Sequence, residues 1–142
     1  MQDRLAGARD GLHQFVGGVL VQEMLISIVD DDEAVRAATG RLMRSLGYFV
    51  EVFASAAEFL ASPGLQKTKC LIADIHMPAM TGVQLYQKLK ETGLAIPTIL
   101  ITAYPDNVVR ARALNDGVMC YLHKPFDDEE LIGCVRTALE RA

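Results

Sequence analysis

From residue 25 onward, short apolar runs alternate with longer segments in which apolar residues recur at helical spacing. "LISIV" (25–29) is a continuous apolar run that ends in three acids. "EAVRAATGRLMRSLG" (33–47) places Val35, Ala38, Leu42 and Leu46 on one helical face and stops at Gly47. "FVEVFA" (49–54) alternates as a half-buried strand does, and "SAAEFLA" (55–61) predicts a short helix capped by Ser55. A polar loop, "SPGLQKTK", leads to the strand "CLIAD" (70–74). "GVQLYQKLKET" (82–92) reads as helix and "IPTILIT" (96–102) as strand. "DNVVRARALND" (106–116) reads as helix ended by Gly117, and "VMCYL" (118–122) as strand. "DDEELIGCVRTALERA" (127–142) closes the chain as a helix with acids in its first turn and Arg141 in its last.

Strands alternating with helices in this way predict an α/β architecture, doubly wound, with a five-stranded parallel sheet covered on both faces. Strands one, three and four are near-continuous apolar runs, as strands buried on both sides require. Residues 25–142 form that one domain. Residues 1–24 do not follow the rhythm and read as an N-terminal extension, with a weak helix around "RLAGARDGLHQFV". Met24 stands directly before "LISIVDDDE", so residues 1–23 reflect either an upstream start or a real extension that packs on the domain or a partner. The chain stops at Ala142, just after the last helix, which fits either a stand-alone domain or a piece cut before an output domain.

Composition narrows the function. The 142 residues are 51% hydrophobic and 23% charged, an ordinary soluble domain with a real core. A net charge of -4 leaves no basic footprint, which argues against nucleic-acid contact by this chain alone. The longest apolar stretch, "FVGGVLVQEMLISIV", is broken by Gln22 and Glu23 and is shorter than the roughly 20 residues of a spanning helix. Asp3, Arg4, Arg9 and Asp10 at the start, with no A-x-A site after them, argue against a signal peptide. Cys70, Cys120 and Cys134 are too few and too far apart in sequence for a disulfide framework or zinc ribbon. Cys70 and Cys120 lie in apolar runs and read as small buried hydrophobes, consistent with a reducing, cytoplasmic setting.

In an open parallel sheet, function gathers beyond the carboxyl ends of the strands. Strand one ends in Asp30, Asp31 and Asp32, strand three in Asp74, strand four in Thr102 and Ala103, and strand five in His123, Lys124 and Pro125. Strand two ends in Ala54 and Ser55 and offers little. Alone, Asp74 would pass for a helix cap or turn acid. Together, packed carboxylates repel by about 4 kcal/mol per close pair at an effective dielectric near 20. A divalent cation and an ammonium relieve that repulsion. Oxygen-only ligands suit Mg²⁺, and Lys124 supplies the ammonium, its backbone restricted by Pro125. A metal, a lysine and a hydroxyl around one carboxylate suit phosphoryl transfer to that carboxylate. Asp74 is then the acceptor, and the Pro78/Gly82 loop lets backbone groups approach it.

These residues resemble the receiver domain of bacterial two-component response regulators. The resemblance rests on "IVDDDE" (28–33), "DIHMPAMTG" (74–82), "ITA" (101–103) and "YLHKPF" (121–126), in order and over residues 25–142; "SAAEFL" and "HKPFDDEEL" look FixJ-like. It implies a (βα)5 flavodoxin-like fold, with Asp74 as phosphoacceptor and a sensor histidine kinase as donor. It implies Mg²⁺ held by Asp31, Asp74 and the backbone carbonyl of His76, with Asp30 acting through water. Thr102 and Lys124 match the switch hydroxyl and the phosphate-binding lysine, and Tyr121 the aromatic that changes rotamer. By the same mapping Asp32 is only a neighbour, and by its position it reads as a cap for helix one; His76 and Tyr104 stand where bulk could shield an acyl phosphate. His123 reads as solvent-facing, and His13 receives no role. Signalling would pass through helix four, strand five and helix five, the usual dimer face, where Arg110, Arg112 and Asn115 face Asp127, Asp128 and Glu130.

Three rivals remain. An aspartate-nucleophile phosphatase wants a second Asp two residues after the first, and position 76 is His. A receiver-like binding module would lose the acidic pair, the acceptor or the lysine, and all are present. A nucleotide-binding α/β protein needs a Gly-rich loop after strand one, where this chain has acids.

Overall fold

The computed structural model describes residues 15–16, 19–20 and 24–141. Its centre is a five-stranded parallel sheet: β1 (Leu25–Val29), β2 (Phe49–Phe53), β3 (Thr68–Asp74), β4 (Thr98–Thr102) and β5 (Cys120–His123), in the order β2-β1-β3-β4-β5. The helices are α1 (Glu33–Ser45), α2 (Ala56–Leu60), α3 (Gly82–Glu91), α4 (Asn107–Asn115) and α5 (Asp128–Glu140). The expected doubly wound, flavodoxin-like α/β fold is present.

The sheet divides the interior into two cores. In β3, Cys70 and Ile72 enter a core with Ile26, Ile28, Met43, Leu131 and Val135, beneath α1 and α5. Leu71 and Ala73 enter the other, with Val29, Phe59, Leu85, Leu89 and Leu100, beneath α2, α3 and α4. Successive strand side chains point to opposite faces, so a run apolar at every position serves both cores. Met24 is buried in the first core, and its carbonyl accepts from Phe49 N at 3.1 Å.

Several boundaries differ from expectation, for identifiable reasons. β3 starts two residues before "CLIAD", because Thr68 pairs with Leu25 and its buried hydroxyl bonds Ser27 Oγ at 2.8 Å. β4 starts at Thr98 rather than Ile96, since Pro97 has no N–H to enter the ladder. β5 starts at Cys120 rather than Val118 and runs on to His123, which pairs with Thr102. In α1 the buried residues are Thr39, Gly40 and Met43; Val35, Leu42 and Leu46 are half-buried and Ala38 is exposed. Val35, Leu42 and Leu46 pack against the core as apolar spacing predicts, while Thr39, Gly40 and Met43 lie deepest and Ala38 falls outside. At Gly40 α1 lies close to β2: a Cβ there would stand 3.5 Å from Val52, ordinary packing distance.

Two further expectations change. Cys120 and Cys134 are joined as a disulfide between β5 and α5, whereas Cys70 is a free, buried thiol. Sequence distance misled: the turn after β5 folds α5 back along the sheet, bringing the two α-carbons to 6.2 Å, within bridging range. The weak helix expected around "RLAGARDGLHQFV" lies outside the described residues except at its end. There Phe15–Val16 are extended and pair antiparallel with Val19–Leu20. Among the described residues, no helix is long and apolar enough to cross a membrane.

Candidate functional site

The carboxyl ends of β1, β3, β4 and β5 converge on a cavity of about 320 Å³ lined by Asp31, Asp32, Asp74, His76, Ala103, Tyr104 and Lys124. Each wall follows from local structure. Asp30 is held where β1 ends: its N–H donates to Phe53 O at 3.1 Å, and its Oδ1 accepts from Asp32 N at 2.9 Å. Asp32 turns away to cap α1, accepting from Ala34 N and Val35 N, as expected for a cap. Asp31 is exposed between them and faces the cavity.

Asp74 is the last residue of β3 and is buried. The loop behind it is drawn tight by Gly82 N donating to Ile75 O at 3.0 Å. Gly82 sits so close that a Cβ would lie 2.5 Å from the Asp74 carbonyl oxygen. Its role is close approach to the backbone rather than turning the chain. Thr81 starts α3 with a capping box to Gln84, fixing the far end of the loop.

Thr102 ends β4 fully buried, its hydroxyl accepting from Tyr104 N at 2.9 Å. Lys124 follows β5; its N–H donates to Thr102 O at 2.8 Å, continuing the ladder that places it. The Lys124–Pro125 peptide is cis. The ammonium reaches Asp30 Oδ2 at 3.1 Å and Asp74 Oδ1 at 3.4 Å.

Carboxylate oxygens of Asp30, Asp31 and Asp74 all come within 4.8 Å of one another, so the cluster can hold a metal ion. The donor set is oxygen alone, which fits a hard divalent cation. Burial, and then the neighbouring Asp30 charge, push the Asp74 carboxyl up to about 6, although Lys124 pulls the other way. Burial alone would lower the Lys124 pKa, but Asp30 and Asp74 outweigh it and raise it. The cluster therefore carries excess negative charge that one ammonium does not cancel.

The remaining expected residues sit at the rim. His76 and Tyr104 are exposed, and their rings meet edge to face at 5.2 Å across the mouth of the cavity. His123 is exposed, as expected. Tyr121 stands apart from the cluster, its hydroxyl accepting from Asp106 N at 3.1 Å at the start of α4. Asp127 and Glu130 form a capping box on α5, in which Glu130 Oε1 accepts from Asp127 N at 3.1 Å.

Sequence reasoning missed Arg36. Its guanidinium, on the first turns of α1, donates to the Asp30 backbone carbonyl at 2.6 Å and braces the end of β1. An arginine on an exposed helix turn carries no local signal of such a contact.

Comparison with known proteins agrees with this geometry. Residues 26–136 match the response regulator receiver domain family. The chain is 43% identical over 121 residues to the response regulator protein TmoT of Ectopseudomonas mendocina, covering 85% of this chain and 55% of that protein. It is 32% identical over 118 residues to the transcriptional regulatory protein FixJ of Bradyrhizobium diazoefficiens, covering 82% of this chain and 57% of FixJ. The chain thus spans about half the length of the curated relatives it matches. The crystal structure of FixJ-N superposes with a TM-score of 0.76 at 32% identity, covering 84% of this chain and 96% of that one. The BeF3-activated DrrB receiver domain superposes with a TM-score of 0.73 at 26% identity, over 84% and 99% of the two chains. The fold, the strand-end cluster and the match over residues 26–136 place this chain in the response regulator receiver domain family, the receivers of two-component signal transduction.

Proposed function

We propose that residues 25–142 accept a phosphoryl group on Asp74 from a sensor histidine kinase and transmit its presence through the α4-β5-α5 surface. The observation that carries this reading is the Lys124 ammonium, set between Asp30 and Asp74 with Asp31 beside them in one polar cavity. In the transfer, a carboxylate oxygen of Asp74 attacks phosphorus, an O–P bond forms and the donor's N–P bond breaks. The electron pair stays on the leaving imidazole nitrogen, which takes a proton from solvent.

Asp31, Asp74 and the His76 backbone carbonyl would hold Mg²⁺, with Asp30 contributing through water. When bound, Mg²⁺ neutralises the carboxylates and favours approach of the phosphoryl oxygens. Lys124 binds and orients one phosphoryl oxygen as a point charge. Thr102 donates its hydroxyl to another, since that hydroxyl already accepts from Tyr104 N and keeps its proton free. His76 and Tyr104 shield the acyl phosphate from water with their paired rings. The chain promotes its own phosphorylation and dephosphorylation but turns over no separate substrate. It meets its kinase in the cytoplasm, and residues 1–23 are an extension to this unit, whose core Met24 already enters.

Intact mass after incubation with acetyl phosphate and Mg²⁺ tests the reading. One added phosphoryl group on the wild type, absent from Asp74→Asn, supports it. Equal labelling of the Asn variant overturns it.

A further inference from the structure

The bond between Cys120 and Cys134 lies outside the carboxylate cluster but on the same strand as its lysine. Cys120 opens β5, Tyr121 follows, and Lys124 comes directly after the strand ends. Among the described residues β5 is an edge strand, hydrogen-bonded only to β4. Its position otherwise depends on what packs against it, and Cys134 on α5 is covalently attached to its first residue. Tyr121 in turn holds the Asp106 N–H at the start of α4. One bond therefore ties α5 to a strand that bears both the α4 contact and the approach to the cluster.

The two sulfurs differ from the third. Cys120 and Cys134 are half-buried, whereas Cys70 is fully buried and its thiol is pushed up to about 12 by burial. A small thiol reagent has a path to the pair but not to Cys70.

We propose that Cys120 and Cys134 form a reversible dithiol–disulfide couple, a thiol-oxidation site that responds to low-molecular-weight disulfides and fixes β5 against α5. In the oxidising direction, one cysteine thiolate attacks a sulfur of a small disulfide such as oxidised glutathione. A mixed disulfide forms and one glutathione thiolate leaves. The second cysteine thiolate then attacks the protein sulfur of that mixed disulfide and expels the second glutathione. Two protein thiols are oxidised, one glutathione disulfide is reduced to two thiols, and the protons pass to the departing thiolates. Excess reduced glutathione runs the sequence backward. The couple's effect on phosphoryl uptake rests on the Asp74 reading; its effect on the β5–α4 contact does not.

The experiment uses the full chain, reduced and then exposed to oxidised glutathione, unfolded and alkylated with N-ethylmaleimide, and weighed intact. The reduced protein should carry three alkylated cysteines and the oxidised protein one, Cys70, with no retained glutathione. Cys134→Ser should trap glutathione on Cys120. In parallel, amide exchange at Asp106 and phosphoryl uptake from acetyl phosphate are compared between the two states. Oxidation should slow both by about two-fold or more, the lower end of what a structural coupling delivers. The double variant Cys120→Ser/Cys134→Ser should show no such dependence. Three alkylated thiols or a stable mixed disulfide in the wild type would overturn the pairing. A bond that forms without altering Asp106 exchange would overturn its grip on the switch surface. A reduced protein that takes up no phosphate would overturn the Asp74 reading alone, leaving the couple to be judged by mass and exchange.

Discussion

Lys124 places its ammonium 3.4 Å from Asp74 Oδ1 while bonding Asp30 Oδ2 at 3.1 Å, so one cation serves two buried carboxylates. Removing it leaves both without a cation, although Asp30 Oδ1 still accepts from Asp32 N. Lys124→Met should destabilise the metal-free domain at neutral pH by roughly 3 kcal/mol, as breakage of a buried ion pair does. The loss should shrink as pH falls toward about 6, because without the lysine, which lowers its pKa, Asp74 takes a proton at higher pH than in the wild type and ceases to repel Asp30. Urea unfolding of both proteins across pH checks this, and a pH-independent difference would place the lysine's contribution in packing alone.

The raised Asp74 pKa fixes the sign of a second effect. Its ordinary value is 3.8 and its folded value about 6. Between the two, the folded state holds more protons than the unfolded state, so stability falls as pH rises through that window. In EDTA-treated buffer, Asp74→Asn should be more stable than wild type above about pH 7, by on the order of 2 kcal/mol. That advantage should disappear below 3.8, where the wild-type carboxyl is protonated in both states. A variant less stable than wild type at neutral pH would mean that Lys124 outweighs burial.

A divalent cation should offset the same repulsion. Binding only the folded state, Mg²⁺ at a hundred-fold excess over its Kd stabilises by about 2.7 kcal/mol. Asp31 is exposed, so Asp31→Ala should leave the fold intact and remove most of that gain. Thermal melts with and without MgCl2 measure it. An unchanged Mg²⁺-dependent rise in the variant would move the metal off Asp31.

Gly82→Ala tests the loop. Its Cβ would meet the Asp74 carbonyl oxygen at 2.5 Å and the Ile75 Cα at 3.1 Å, both backbone atoms that cannot rotate away. The loop must shift, at a cost of about 1–3 kcal/mol. Because the displaced atoms belong to Asp74 itself, phosphoryl uptake should slow even in molecules that remain folded. Normal uptake by folded Gly82→Ala would show that the loop yields without moving the acceptor.

The site was legible because its residues lie at strand ends, where chain order alone delivers them to one edge. Asp30, Asp31, Asp74 and Lys124 needed only the βα alternation to be brought together. What stayed hidden depends on three-dimensional approach. The Arg36 contact to the Asp30 carbonyl comes from a helix turn that looks solvent-facing. Gly82 was read as a loop former, and its contact distance only a folded backbone shows. The Cys120–Cys134 bond depends on how α5 returns along the sheet, which spacing in sequence does not encode. In α1, Val35, Leu42 and Leu46 pack on the core as their spacing predicts, but the deeper burial of Thr39 and Gly40 beside Met43 has no apolar signal in the sequence.

Phosphorylation should act through Thr102 and Tyr121. Thr102 is buried at the end of β4, its hydroxyl accepting from Tyr104 N. An anionic phosphoryl oxygen is a stronger acceptor for its proton than a neutral partner, so Thr102 moves toward Asp74. That vacates space behind β4. Tyr121 now bonds Asp106 N at 3.1 Å, and filling that space requires it to give up this contact. The exchange shifts a balance between two states and can do so only by differential affinity. A phosphoryl group making two or three charge-assisted contacts supplies about a few kcal/mol, enough to reverse a modest bias. Released from Tyr121, the start of α4 rearranges and changes how the already exposed Val108 and Tyr104 are presented to a second copy, favouring a symmetric dimer. Sedimentation at several concentrations, with and without beryllofluoride, should show association only with the mimic, accompanied by a change in tyrosine fluorescence. Tyr121→Phe lacks the hydroxyl that restrains α4 and should associate more readily without the mimic. A wild type that stays monomeric in both states, with unchanged fluorescence, would assign the output to a partner's surface instead.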